Sequence, residues 1–487
     1  MVEETKIRER FEAAGQGHIF QYFGDLSADE KEAFLNELDG INVESTSSLL
    51  EAAKATSLAT AKASETSEAP TKTPELDDSN VGIQPFSKHV GRTSVKEDRE
   101  PSYKLGIEAT SRGEVAAIVL AGGQGTRLGF SGPKGLYSID LPSKRTLFQM
   151  ISERLLKLRD LAANDPNDLP SVPFYIMTSP LNHEETVGFF EKNSFFGLPK
   201  EDVCFFRQGM LPCLTEEGKI ILEGAGKVAM APDGNGGIYP SLVKTGMFAD
   251  MEKRNIKYLH VFSIDNALTK PADPVFIGYC ISHGADCGNK VVWKTSAHEK
   301  VGVIAEKDGK SCVVEYSDIS KEMAEAVDDN GRLRFGAGNI CNHFYTLDFL
   351  KTEILPQLGN IYHIARKKIP YYDPETKTTA KATANNGLKL ETFIFDVFPM
   401  SKSMAVLDVN RSEEFAPVKN APGSTSDSPD TARKYISELA KKWVEEAGGK
   451  LVGDMEAICE VAPLTSYGGE GLEEKVKDKE ITCPFSL

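Results

Sequence analysis

The chain has 487 residues, 40% of them hydrophobic, and a formal net charge of −16 at pH 7. That length supports a sizeable core and, at about 150 residues each, two to four domains. The acidic balance argues against a nucleic-acid binder, and the longest apolar runs, such as "VAAIVLA" (115–121), fall far short of the ~20 residues of a membrane span.

The start, "MVEETKIRER", is charged and has no apolar signal region, so a cytoplasmic protein is expected. Residues 1–102 read as an N-terminal helical domain and connector. "SADEKEAFLNELDG" (27–40) carries a capping box, Ser27 with Glu30, and Gly40 to stop the helix. Residues 45–80, rich in Ser, Thr, Ala, Glu and Lys, read as a partly helical or mobile connector.

Residues 103–405 alternate strand-like and helix-like segments. "EVAAIVL" (114–120) is a buried-strand pattern that runs straight into "LAGGQGTRLGFSGPKGLY" (120–137). "PFYIMTS" (173–179) is a second strand, followed by a helix with Asn182 and Glu185 as a capping pair. "KYLHVFSID" (257–265) is a third, and "NKVVWKT" (289–295), "KSCVVEYSD" (310–318) and "ETFIFDVFP" (391–399) add more. This alternation implies an α/β fold: a central, mostly parallel sheet with helices on both faces, whose ligands bind beyond the carboxyl ends of the strands. Residues 406–487 read as a small C-terminal domain with one strong helix at 428–449.

The glycine loop admits three readings. A dinucleotide fingerprint needs G-x-G-x-x-G, but Gly123, Gly125 and Gly129 are spaced G-x-G-x-x-x-G. A P-loop needs Lys after its last glycine, but Lys134 follows Pro133. In a nucleotidyltransferase loop, Gly122, Gly123 and Gly125 let backbone N–H groups approach a nucleotide, while Arg127 and Lys134 face its phosphates. The bland alternative is a tight strand-to-helix turn with two solvated cations.

Other candidates are weaker singly. Gln208 in "RQGMLPCL" offers the donor and acceptor that suit the imide edge of uracil. Asn235 in "APDGNGGIY" suits a sugar hydroxyl, unless the stretch is an ordinary hairpin turn. Asp265, at a strand end, suits Mg²⁺, unless "DN" is an Asx turn or helix cap. Glu315 stands inside an apolar strand pattern, where a charge must be paired, edge-exposed or functional. "FGAGNICNHF" (335–344) supplies Asn339, Asn342 and His343, polar groups suited to a sugar, with His343 reading better as a satisfied core histidine. Lys419 in "FAPVKNA" is by default solvated. The eight cysteines show no C-x-x-C spacing and the eight histidines no H-E-x-x-H, so reduced, mostly buried thiols and no structural zinc are expected.

Together, L-A-G-G-Q-G-T-R-L-G with P-K-G, "RQGMLPCL", "APDGNGGIY", "SIDNAL", "VGVIAEKDGK", "VVEYSD", "GNICNHF", "ETFIFDVFP", "FAPVKNAPG" and "VAPLTSYGGEGLE" resemble eukaryotic UDP-N-acetylglucosamine (UDP-N-acetylhexosamine) pyrophosphorylase over about 103–471. The resemblance implies a mixed, Rossmann-like central sheet. It also implies the reaction of UTP with N-acetylglucosamine 1-phosphate to give UDP-N-acetylglucosamine and pyrophosphate, with Mg²⁺ as cofactor, in a monomer or homodimer. By the same resemblance, Gly122 and Gly123 contact uridine and Gln208 and Gly234 read uracil. Arg127, Lys134 and Lys419 hold the phosphates. Asn235, Gly302, Glu315 and Asn339 hold the sugar, Phe393 and Phe395 line its N-acetyl side, and Asp265 binds the metal. UDP-glucose pyrophosphorylase and a non-catalytic UDP-sugar sensor are the competing expectations.

Overall fold

The computed structural model describes residues 3–62, 82–358 and 361–487. The later part of the expected connector, residues 63–80, lies outside them. The chain forms two compact units. The larger comprises Gly82–Arg207, Leu242–Leu355 and Val397–Leu487; the smaller joins the described residues up to 62 to Gln208–Ser241 and Pro356–Asp396.

The larger unit holds an eleven-stranded sheet. In chain order its strands are β1 (Ile83–Pro85), β2 (Val90–Arg92), β3 (Val115–Leu120), β4 (Phe174–Thr178), β5 (Val203–Arg207), β6 (Tyr258–Ser263), β7 (Cys287–Trp293), β8 (Val303–Lys307), β9 (Lys310–Val314), β10 (Ala337–Thr346) and β11 (Met404–Asp408). The order across the sheet is β2-β11-β7-β10-β6-β3-β4-β5, with β8 joining β1, β9 and β10 at one side. Neighbours along that path are parallel except β10, which runs antiparallel to both β6 and β7. Every residue of β3 and β4 is buried, as their unbroken apolar sequences require of strands covered on both faces.

The same unit contains helices α1 (Lys96–Ser111), α2 (Leu147–Ala162), α3 (His183–Lys192), α4 (Pro274–Ser282) and α5 (Pro429–Glu446). Side chains of α2, α4 and α5 share one hydrophobic core with β3, β6, β7, β10 and β11. The α1–α4 crossing is a backbone contact. A Cβ on Gly106 would lie 1.9 Å from the Pro274 carbonyl oxygen, and one on Gly278 would lie 1.7 Å from that of Ser102. After α5, Lys450–Gly453 pairs in parallel with Glu480–Cys483.

In the smaller unit, helices Glu4–Ala13, Ala28–Asp39 and Val43–Lys62 pack on a hydrophobic cluster that includes Leu214, Ile220, Leu222, Val228, Leu388 and Leu390. The Ser27–Glu30 capping box is present. All eight cysteines are free and five are buried. Among the described residues no helix is long and apolar enough to cross a membrane.

Two local expectations are corrected. Residues 391–399 are not a strand: Gly387–Glu391 is one, and Ile394–Met400 is a 3₁₀ turn. Asp396 bends the chain there by accepting from the Phe393 N–H at 2.7 Å. Asn182 does not cap α3. Its Oδ1 accepts from Ser179 N (2.8 Å) and its Nδ2 donates to the Ala121 carbonyl (2.9 Å), tying the end of β4 to the start of the glycine loop.

Candidate active site

β3 ends at Leu120, and the glycine loop folds back on itself immediately beyond it. Gly125 N donates to Gly132 O (3.0 Å) and Lys134 N donates to Gly123 O (3.1 Å). A Cβ on Gly123 would meet nothing within 4 Å, so this backbone faces open space. Gly125 and Gly135 serve packing instead: added Cβ atoms would lie 2.8 Å from Phe130 and 2.1 Å from Phe148. Arg127 is exposed, and its guanidinium has no partner among the described residues. Gln124 Oε1 is buried and likewise unpartnered, an acceptor in the loop that sequence reasoning missed.

Asp265 lies two residues past the end of β6, the parallel neighbour of β3, in register with it from Tyr258–Val115 to Ser263–Leu120. Lys134 Nζ stands 4.0 Å from Asp265 Oδ2, with both side chains under a fifth exposed. Burial lowers the pKa of Lys134; Asp265 opposes the shift, and Lys419 and Arg127 add to it. Three cations and one carboxylate thus share one field. Lys419 reaches it because Val418 N donates to the Asp265 carbonyl (2.8 Å). The "DN" ambiguity resolves by residue. Asn266 is the buried turn-former, accepting from Ala416 N (2.9 Å) and Leu268 N (3.2 Å), and Asp265 keeps its carboxylate for the site.

β10 brings its beginning to the edge where β6 and β7 end. Asn339 N donates to Gly302 O (2.8 Å), and Asn339 Oδ1 accepts from Cys341 N (3.1 Å). The β7–β10 register shifts here, from Asn289–His343 to Val291–Asn339, and Cys341 sits in the bulge with φ +52°. Burial pushes the Cys341 thiol up to about 12, with Asp265 raising it further and Lys419 lowering it, so this residue, missed in the sequence, stands beside the charge cluster. Glu315 follows the last residue of β9 rather than standing inside a strand; burial raises its pKa, and a Cβ on Gly302 would lie 3.1 Å from its Oε1.

Asn342 and His343 are core residues. Asn342 is 2% exposed with Oδ1 2.5 Å from His260 Nε2, so it does not face a sugar. His343 is fully buried with Nδ1 2.6 Å from Asn289 Oδ1; its Nε2 has no partner among the described residues, so it is satisfied on one side only.

In the smaller unit a second group assembles. Gly234 has φ +88°, and a Cβ there would lie 2.2 Å from Thr392 O. Gly236 N donates to the same carbonyl (2.9 Å), and Thr392 N donates to Asp233 O (2.8 Å). Asn235 Oδ1 accepts from Ile394 N (2.9 Å), so its amide NH₂ is the end left for a ligand. "DGNGG" is therefore a strand-to-helix turn, not a hairpin. These bonds hold Phe393 and Phe395, which stack at 5.0 Å, with His363 4.7 Å from Phe393 and bonded to Asp396. Gln208 adjoins the group through Gly209, whose carbonyl accepts from Asp233 N (3.2 Å).

A family model described as UTP–glucose-1-phosphate uridylyltransferase matches residues 61–429. The chain is 43% identical over 500 residues to the UDP-N-acetylhexosamine pyrophosphorylase-like protein 1 of Xenopus tropicalis, across 99% of this chain and 96% of that one. It is 42% identical over 479 residues to the UDP-N-acetylglucosamine pyrophosphorylase of Saccharomyces cerevisiae, across 96% and 97%. The chain belongs to this family, among its UDP-N-acetylglucosamine pyrophosphorylases. A solved pyrophosphorylase structure, that of the Trypanosoma brucei protein with an inhibitor, matches with a TM-score of 0.81 at 30% identity, over 97% of this chain and 94% of that one. As in other α/β sheets, the charge cluster of this chain lies outside the carboxyl ends of parallel strands.

Among the described residues no three His, Cys, Asp or Glu side chains form a metal cage. A single carboxylate, that of Asp265, beside three cations still fits Mg²⁺, which takes one or two carboxylates and completes its shell with phosphate oxygens and water.

Proposed function

We propose that this protein transfers the uridylyl group of UTP to N-acetylglucosamine 1-phosphate, releasing pyrophosphate, in the cytoplasm. The observation that carries the reading is the convergence of Arg127, Lys419 and Asp265 on Lys134, beside a glycine loop open to a ligand. The names of the relatives supply the sugar.

The attacking sugar-phosphate oxygen is already an anion, so the residues need not remove a proton from it, and in-line attack on the α-phosphorus expels pyrophosphate without a covalent intermediate. The chain's work is positioning and charge neutralisation. Arg127 forks onto phosphate oxygens, while Lys134 and Lys419 add point charges. Asp265 would hold Mg²⁺, which when bound neutralises phosphate charge. Gly122 and Gly123 admit uridine, and Gln208 and Gly234 read uracil. Asn235, Gly302, Glu315 and Asn339 bind the sugar, and Phe393 and Phe395 pack on its acetamide.

The test is UTP-dependent pyrophosphate release by the purified protein. Turnover with N-acetylglucosamine 1-phosphate should exceed that with glucose 1-phosphate, and N-acetylgalactosamine 1-phosphate should be slower. Preference for glucose 1-phosphate would overturn the sugar assignment, and no release with any sugar would overturn catalysis.

A further inference from the structure

Lys290 lies mid-strand in β7, fully buried. A buried ammonium persists only when paired and hydrogen-bonded. It has two partners, Asp273 and Glu414, the latter at 2.5 Å, and both carboxylates are themselves at most 5% exposed. These carboxylates belong to two different loops. Asp273 closes the loop that begins at Asp265, accepting from Val275 N (3.0 Å) to start α4. Glu414 opens the loop that ends at Lys419.

Between these two anchor points the loops are joined edge to edge. Asn266 Nδ2 donates to the Glu414 carbonyl (2.7 Å), Ala267 N to Ala416 O (3.1 Å) and Val418 N to Asp265 O (2.8 Å). We infer that Lys290, which no substrate role uses, is a positioning residue: through Asp273 and Glu414 it sets the placement of Asp265 against Lys419. An apolar cluster of equal volume would hold the fold as well or better. It would not fix each loop at a hydrogen-bond distance from one atom. The inference rests on the phosphate roles proposed for Asp265 and Lys419.

Two full-length variants test it. Lys290→Met leaves two buried carboxylates, Asp273 without a cation and Glu414 with only Lys270, at 3.5 Å. Lys290→Met combined with Asp273→Asn and Glu414→Gln leaves none, and Asn still caps α4. In a cooperatively melting variant, peptide-resolved hydrogen exchange should quicken over 266–269 and 415–419 and stay unchanged in β6 and β7. By calorimetry, UTP affinity in Mg²⁺ should fall about 10- to 100-fold, the usual cost of losing a group that orients a ligand-holding residue, while uridine affinity stays unchanged. Unaltered loop exchange, equal losses for UTP and uridine, or a triple variant that cannot fold would each overturn the inference. Wild-type protein that binds no UTP would instead sink the functional reading. The exchange measurement needs no substrate and decides the loop claim in either case.

Discussion

Arg127 is the sharpest test at the scale of a single residue. Its guanidinium makes no hydrogen bond or ion pair among the described residues and is exposed, so Arg127→Ala should leave thermal stability unchanged. Loss of one charge-stabilising donor costs about 3 kcal/mol of transition-state stabilisation, so kcat/KM for UTP should drop by orders of magnitude. A near-normal rate of pyrophosphate release would remove Arg127 from the site. Lys134 makes a pH prediction. Burial and two neighbouring cations hold its pKa below the ordinary lysine value. As pH rises it therefore loses its charge earlier than a free lysine would, and UTP binding by the free enzyme should weaken at alkaline pH. Lys134→Arg, which keeps its charge, should move that alkaline limb upward in a kcat/KM profile. Both residues stand out in the sequence as cations beside a glycine-rich turn, a pattern that equally fits a tight turn with two solvated cations; what the fold adds is Asp265 and Lys419 acting on Lys134. Cys341 and Gln124 do not stand out, since a bulge and an orphaned acceptor are facts of tertiary placement.

At the scale of elements, the α1–α4 crossing is the most constrained contact. Gly106 and Gly278 bring two helices to backbone contact, and neither has room for a methyl group. Overpacking costs about 1–3 kcal/mol, and because the obstacle is main chain rather than a flexible side-chain tip, Gly278→Ala should sit at the top of that range in urea unfolding. A neutral result would mean the helices can separate. The strands were largely readable: β3, β4 and β6 fall within a residue or two of their apolar runs. The failures have a common cause. In 391–399 the apolar residues suggested a strand, but Asp396 and Asn235 both accept from backbone N–H groups of 393–394 and turn the chain. Asn182 was assigned by local spacing to a cap, yet its amide bonds across to Ala121.

For the molecule as a whole, pH should act through the sheet's two buried histidines. His260 and His343 have pKa values lowered to about 3 by burial, so both are neutral in the fold. In the unfolded chain they protonate near pH 6.5, so their contribution is complete above about that pH and falls away below it, by about 2 kcal/mol per ring at pH 5. Denaturant unfolding at pH 7 and pH 5 should show the difference, and His343→Gln should roughly halve the histidine share of it. Long-range association of this kind was the least legible part of the chain. Nothing local says that residues 208–241 and 356–396 pack with the N-terminal helices, or that Lys290, the first lysine of "NKVVWKT", is the hub of a buried ion cluster.

The pairing of Val90 with Val406 has a consequence for the order of events during synthesis. β3, β4, β5 and β6 can associate once the chain has been made a little past Asp265, and with them the glycine loop and Asp265 itself. β2 and the second edge of β7 must wait for β11, and Lys290 for Glu414, until the ribosome has nearly finished. Contacts of such high sequence separation form slowly and leave strand edges bare meanwhile. A chain stopped before residue 404 would hold Lys134 and Asp265 without Lys419, and carry two unpaired strand edges: a half-charged site on a sticky intermediate, fit for a chaperone or a protease rather than for UTP.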